Sequence, residues 1–274
     1  MVSMTTQKLL QIPFVLLIVT SIVFAGCDSG INADGDTGTM EVLMHDAPAN
    51  YDEVNVFVER VEVNNSESDE GWIELNSPQQ SYDLLELTNG ATEVLGSAEL
   101  PVGTYEQVRL ILSSENHSVV VDGKEHSMFV PSGEQTGIKL NVNAEIEPDF
   151  TYTMLLDFDA ARSVVVRGNQ QAGESYLLKP VIKATNEAVT GNIAGAVEPV
   201  DSDPFVYAIA GGDTLSSTKA DTSNGKFKLI GLEEGSYTVS VDPTNDSYAT
   251  ENVDDVEVSV GETTELETIT VPEN

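Results

Sequence analysis

The chain has 274 residues, 40% of them hydrophobic and 21% charged, so it is long and apolar enough to bury a core, and global disorder is excluded. Its formal net charge of −34 at pH 7 sets up a field that repels nucleic-acid phosphates and anionic bilayer surfaces, which excludes nucleic-acid binding. The acids are spread along the chain rather than clustered, which favours a solvated surface suited to a saline medium over a dedicated divalent-cation store.

At the N-terminus Lys8 precedes an apolar run from Leu9 to Phe24, interrupted by Pro13 and closed by Phe24-Ala25-Gly26-Cys27. The run is shorter than the roughly 20 residues that a spanning helix prefers, and it has the basic, apolar and small-residue parts of a secretory leader. Cys27 is the only cysteine, so it cannot close an internal disulfide. The Ala-Gly-Cys boundary resembles the bacterial lipobox, with Phe24 where leucine is usual; the resemblance implies that Cys27 is acylated and becomes the mature first residue. A plain signal peptide or an uncleaved anchor is the competing reading. The chain beyond Cys27, through Gly38, is a Gly/Asp/Ser/Asn-rich tether. Asn32, Asp34 and Asp36 have the spacing of a calcium loop, but Thr37 and Leu43 stand where its glycine and bidentate glutamate belong.

From Thr39 the pattern is strand after strand. Residues 54–63 alternate with a period near two, and further strands are predicted at 40–44, 105–112, 118–121, 138–143, 151–158, 163–167 and 176–184. Asn64-Asn65, Asn89-Gly90, Asp122-Gly123 and Gly168-Asn169 are among the turns between them, and one short helix is predicted near Thr92 to Ala98. After a pause around 185–190 a second set follows at 191–198, 204–210, 226–230, 236–242, 253–260 and 265–271. The expected architecture is all-β: two tandem antiparallel β-sandwiches. Its parts are a leader (1–26), a lipidated cysteine with tether (27–38), and sandwiches over 39–187 and 188–274. Leu100-Pro101-Val102-Gly103-Thr104-Tyr105 and Leu232-Glu233-Glu234-Gly235-Ser236-Tyr237 share the form Leu-x-x-Gly-(Ser/Thr)-Tyr, a corner that suggests two related sandwiches.

The first half resembles the DUF4382 family of bacterial lipoprotein domains, over roughly residues 39–184. The matching blocks begin with His45-Asp46-Ala47-Pro48 and Tyr51-Asp52-Glu53-Val54, then Asp83 to Gly90. Leu100 to Tyr105 with Val108-Arg109-Leu110, Val130 to Leu140, Asp157-Phe158-Asp159 with Ser163, and Tyr176 to Ile182 complete them. The resemblance implies no activity, because the family has none assigned. The second half is similar to carboxypeptidase regulatory-like, transthyretin-type sandwiches through Gly191 to Val197, Asp221, Asn224 to Phe227 and Gly231 to Val239. That similarity implies a non-catalytic stalk, adhesion or carbohydrate-binding module.

The best candidate for chemistry is Asp157-Phe158-Asp159, since alternate strand residues share a face and both carboxylates point one way. They are read as ion-pair partners of the scarce cations Arg109, Lys139 and Lys179, each set within an apolar strand. Calcium ligation and acid/base work by Asp157 and Asp159 are the alternatives. His45, His117 and His126 lack zinc-site spacing and are placed at the surface or in turns; His45-Asp46 with Asp52 has no nucleophile elbow to serve, and Ser132 is a turn serine. Trp72, the sole tryptophan, is expected as a buried anchor at a strand start. Together these describe a non-enzymatic lipoprotein, a binding, adhesion or scaffolding module without a resident cofactor, held to a membrane of the bacterial envelope (outer membrane or cell surface) by its lipid. Its partner is a glycan or another envelope protein. Nutrient capture by carbohydrate binding and an envelope hydrolase using Asp157 and Asp159 are the alternative functions.

Overall fold

The computed structural model describes residues 36–65, 71–131, 137–169 and 173–274. Cys27, the leader, nearly all of the tether and Ser132 lie outside them. The described residues are almost wholly strand, and none of their helices is long and apolar enough to cross a membrane.

The first half runs β1 (Thr37–Ala47), β2 (Glu53–Asn64), β3 (Trp72–Asn76), β4 (Gln80–Asp83), β5 (Glu93–Pro101), β6 (Gly103–Leu112), β7 (His117–Val121), β8 (Lys124–Phe129), β9 (Ile138–Ile146), β10 (Thr151–Asp159), β11 (Val164–Asn169), β12 (Gly173–Leu178) and β13 (Ile182–Asn186). One helical turn, α1 (Ala160–Ser163), follows β10. The second half runs β14 (Thr190–Glu198), β15 (Pro204–Ala210), β16 (Asp213–Lys219), β17 (Lys226–Glu233), β18 (Gly235–Pro243), β19 (Glu251–Val258), β20 (Thr263–Glu265) and β21 (Ile269–Thr270).

A sheet in the order β13-β10-β1-β5 faces a larger one in the order β11-β12-β8-β7-β2-β6-β9, with β3 and β4 also pairing to β2. Between them lies the first core, in which Met40, Val42, Val54, Val56, Val58, Leu110 and Phe158 are all fully buried. The second half repeats the plan with β17-β14-β20, to which β21 adds, and β16-β15-β18-β19 around a separate core that includes Ile193, Val206, Leu229, Val239 and Val241. Each buried valine or leucine contributes about 1.5–3 kcal/mol. Most ladders are antiparallel, but β1 pairs β10 in parallel, as does β8 with β12. Those crossovers are non-local and left no mark in the sequence.

The alternation in β2 changes phase. Val54, Val56 and Val58 face the core from even positions, Val61 and Val63 from odd ones. A bulge between Val58 and Arg60 absorbs the shift, because a one-residue slip would otherwise turn both later valines to solvent. The predicted helix at 92–98 is instead β5. Leu95 and Leu100 bury their side chains, and Gly96 lets the strand pass close to Asn76, where a Cβ would stand 2.8 Å from the Asn76 Cβ. The single strand expected over 176–184 is two, because Pro180 has no N–H for a ladder. The two Leu-x-x-Gly-(Ser/Thr)-Tyr corners have the same geometry: the Tyr105 hydroxyl donates to the Pro101 carbonyl at 3.1 Å and that of Tyr237 to the Glu233 carbonyl at 2.8 Å.

Candidate functional site

The parallel register of β1 and β10 sets His45 beside Asp157, Asp46 beside Phe158 and Ala47 beside Asp159. Two adjacent strand ends therefore bring one histidine and three carboxylates together, from positions more than 100 residues apart in sequence. His45 is 5% exposed, and its Nε2 lies 3.6 Å from Asp157 Oδ1, beyond hydrogen-bond reach. Asp46 continues the core phase of Met40, Val42 and Met44 and is 1% exposed. Its Oδ1 accepts the Ala160 N–H at 2.9 Å, while its Oδ2 is buried without a hydrogen bond. Asp157 Oδ1 is likewise buried without one. Asp159 differs from both: its Oδ1 accepts the Arg162 N–H at 2.9 Å, capping α1, and its Oδ2 lies 3.8 Å from the Arg162 guanidinium.

Burial sets the charge states. It pushes the Asp46 carboxyl well above the ordinary carboxylate range, and the charges of Asp157 and Asp159 add to the rise. Burial also raises Asp157, against the pull of His45 and Lys183, and lowers His45, against the pull of Asp157. Desolvation outweighs attraction for both members of the pair, which moves each toward its uncharged form.

Asp157 and Asp159 open onto a cavity of about 510 Å³, within the usual range for small-molecule sites. Arg162 and Lys183 complete the wall from the first sandwich, and Tyr207, Ser216 and Ser217 line the other side from β15 and β16 of the second. Two acids face two bases, with hydroxyls and one aromatic ring opposite. Ser216 donates its hydroxyl proton to the Ile230 carbonyl, so it is not paired to a base as a nucleophile would be. Among the described residues no group of three or more His, Cys, Asp or Glu is arranged to hold a metal ion. The geometry suits holding a polar ligand by hydrogen bonds and charge.

The cations predicted to neutralise Asp157 and Asp159 are elsewhere. Arg109 forms its ion pair with Glu62, its neighbour across the β2–β6 ladder, and Glu62 also accepts from Arg60 Nε at 3.1 Å. The Arg109 guanidinium lies 4.1 Å from the centre of the Trp72 ring, and Lys139 Nζ lies 5.6 Å from it. Trp72 stands at the start of β3 as predicted, but it is half-buried rather than enclosed, and serves as a cover for that ion pair. Lys139 and Lys179 are exposed, so solvent solvates their charges and the requirement for a buried partner lapses. The cleft takes its positive charge from Arg162 and Lys183 instead.

Two of the three histidines are not at the surface. His117 is 2% exposed; its Nδ1 accepts the Phe57 N–H at 3.1 Å and its Nε2 lies 2.8 Å from the Ser113 carbonyl, which only the Nε2–H tautomer satisfies. His126 packs against the Tyr176 ring with centroids 4.8 Å apart. The signal that could have found the cleft was Asp46, an acid at a core-phase position of an alternating strand. Lys183 and Tyr207, which line the cleft, carry no such mark.

These observations define an all-β sandwich protein with a mixed-charge cleft between its two halves. The profile of the DUF4382 family, a domain of unknown function, matches residues 37–180, more than half the chain, and the chain belongs to that family. No curated protein matches it. Among solved structures it is similar to a type II cohesin–X-dockerin complex from Acetivibrio cellulolyticus, at 25% identity over 30% of this chain and 56% of that one, with a TM-score of 0.24. It thus spans little more than half of that matched chain. The Bacillus anthracis TIE protein is 14% identical over 87% of this chain and 34% of that one (TM-score 0.24). The shaft pilin SpaA from Lactobacillus rhamnosus GG is 8% identical over 87% and 98% (TM-score 0.24).

Proposed function

We propose that this chain is a non-catalytic lipoprotein of the bacterial envelope that captures a glycan in the cleft between its two sandwiches. In this reading Cys27 is the acylated first residue, the lipid holds the protein at the outer membrane or cell surface, and the residues between Cys27 and β1 space it from the bilayer. The modules meet near residue 188, the second being of the carboxypeptidase regulatory-like type.

The observation that carries the reading is the 510 Å³ cavity that Asp157, Asp159, Arg162, Lys183, Tyr207 and Ser217 line together. Tyr207 offers a half-buried ring for the C–H face of a sugar, and Ser217, Arg162 and Lys183 offer further polar contacts. The balance of two acids and two bases suits a neutral polyhydroxylic ligand, whereas the net charge of −34 disfavours a polyanion.

A panel of neutral glycans arrayed against the purified chain tests this directly. Binding that disappears in Asp157→Asn supports capture in the cleft; an empty array, or binding indifferent to that substitution, overturns it. Mass spectrometry of the protein from its native host separately tests the anchor: an acylated residue 27 without the leader is expected, and an unmodified Cys27 contradicts it.

A further inference from the structure

Strand β17 lies at the edge of its sheet, paired only with β14. Its outward amides and carbonyls at Lys226, Lys228 and Ile230 would stand open to another strand, the usual liability of an edge. Nearby groups occupy several of them instead: the Asp221 N–H donates to the Lys226 carbonyl at 2.8 Å, and side chains take others. Asn224 Oδ1 accepts the Lys226 N–H at 2.9 Å, and the Ser216 hydroxyl donates to the Ile230 carbonyl at 3.1 Å.

Between these two, the partner comes from the other sandwich. Asn89 Oδ1 accepts the Lys228 N–H at 2.6 Å, and Asn89 Nδ2 donates to the Lys226 carbonyl at 3.3 Å. A carboxamide carries the same donor and acceptor as a peptide unit, and here it supplies one rung of a β-ladder across a separation of more than 130 residues. The local backbone is built for this approach. Asn89 has φ +56° and Gly90 φ +79°, and a Cβ on Gly90 would stand 2.9 Å from the Lys228 Cδ. A second close approach, Gly231 against the Leu155 side chain, lies further along the same strand.

We infer that Asn89 is an interdomain latch: its carboxamide stands in for a strand on the free edge of β17, locks the two sandwiches into one cooperative unit, and closes that edge to strand addition. The contact is directional, so it fixes how the halves meet as well as that they meet, and with it the spacing of the cleft walls. Asn89 touches no atom of the cleft, so its effect there is one of positioning.

Hydrogen exchange of the full chain and its thermal unfolding test the latch together. In Asn89→Ala the Lys228 amide should exchange about tenfold faster, as expected for one lost hydrogen bond, while Leu229, paired with Ile193 inside the sheet, keeps its protection. In Asn89→Asp the acceptor remains, so Lys228 should stay protected. The alanine variant should also unfold in two calorimetric transitions where the wild type shows one. Equal Lys228 exchange in wild type and Asn89→Ala overturns the latch. Faster exchange with a single transition overturns the locking of the two halves. If the alanine variant loses protection throughout, Lys228 exchange in Asn89→Asp decides: wild-type protection supports the latch and its loss contradicts it.

Discussion

His45 and His117 are both buried in the first sandwich, and burial lowers the proton affinity of each, yet their surroundings are opposite in kind. Both nitrogens of His117 have partners, so the imidazole replaces a stretch of backbone and holds β7 to β2. His45 faces Asp157 at a distance too long for a hydrogen bond, next to two carboxylates that each keep one bare oxygen. Burial alone therefore does not mark a functional residue. Satisfied burial marks structure, whereas Asp157, the partner of His45, lines a cavity.

That contrast can be broken by substitution. The largest effect is expected at the satisfied site: His117→Ala leaves the Phe57 N–H without its acceptor and opens a void, a loss of about 3 kcal/mol in urea unfolding. A loss below about 1 kcal/mol would remove His117 from the structural class. Next comes Asp159, the one carboxylate of the cleft with a structural task. Asp159→Ala should lower stability by about 1 kcal/mol through loss of the α1 cap, with Asp159→Asn largely retaining it. Equal losses in both variants would point to charge rather than capping.

The smallest effect is a matter of pH, and its sign separates the two classes. His117 has a lowered folded value, so its contribution is fully present above the unfolded value near 6.5 and is lost as pH falls. Asp46 has a raised folded value, so its contribution is present below the unfolded value near 3.8 and is lost as pH rises through the folded value. Asp46→Asn, which keeps an oxygen for the Ala160 N–H, should therefore match the wild type in acid and exceed it in melting temperature at neutral pH. A variant less stable than wild type at pH 7 would mean that the ionised carboxylate is stabilising.

Much of the architecture was legible because strand burial has a period of two. Val54, Val56 and Val58 announce a core face, and the repeated Leu-x-x-Gly-(Ser/Thr)-Tyr form announces the two corners that Tyr105 and Tyr237 close. Strand β5 is not legible as a strand, since Glu93 to Leu100 has no clean alternation and Gly96 serves a close approach that only tertiary structure shows. Asp157 and Asp159 stood out by their spacing, but the identity of their neighbours depends on a parallel pairing of β1 with β10 that no local signal encodes. The same holds for Arg109, whose partner Glu62 lies 47 positions away, and for Asn89, which reads as an ordinary turn residue until the edge of β17 is placed beside it.

The central claim is that the cleft between the sandwiches holds a glycan through the carboxyl group of Asp157. Calorimetric titration of an array-positive neutral glycan into the wild type, Asp157→Asn and His117→Gln measures it most directly. The account predicts binding to the wild type and His117→Gln and its loss in Asp157→Asn, with the Asp157→Asn protein fully folded. Equal affinity in Asp157→Asn and the wild type would contradict it.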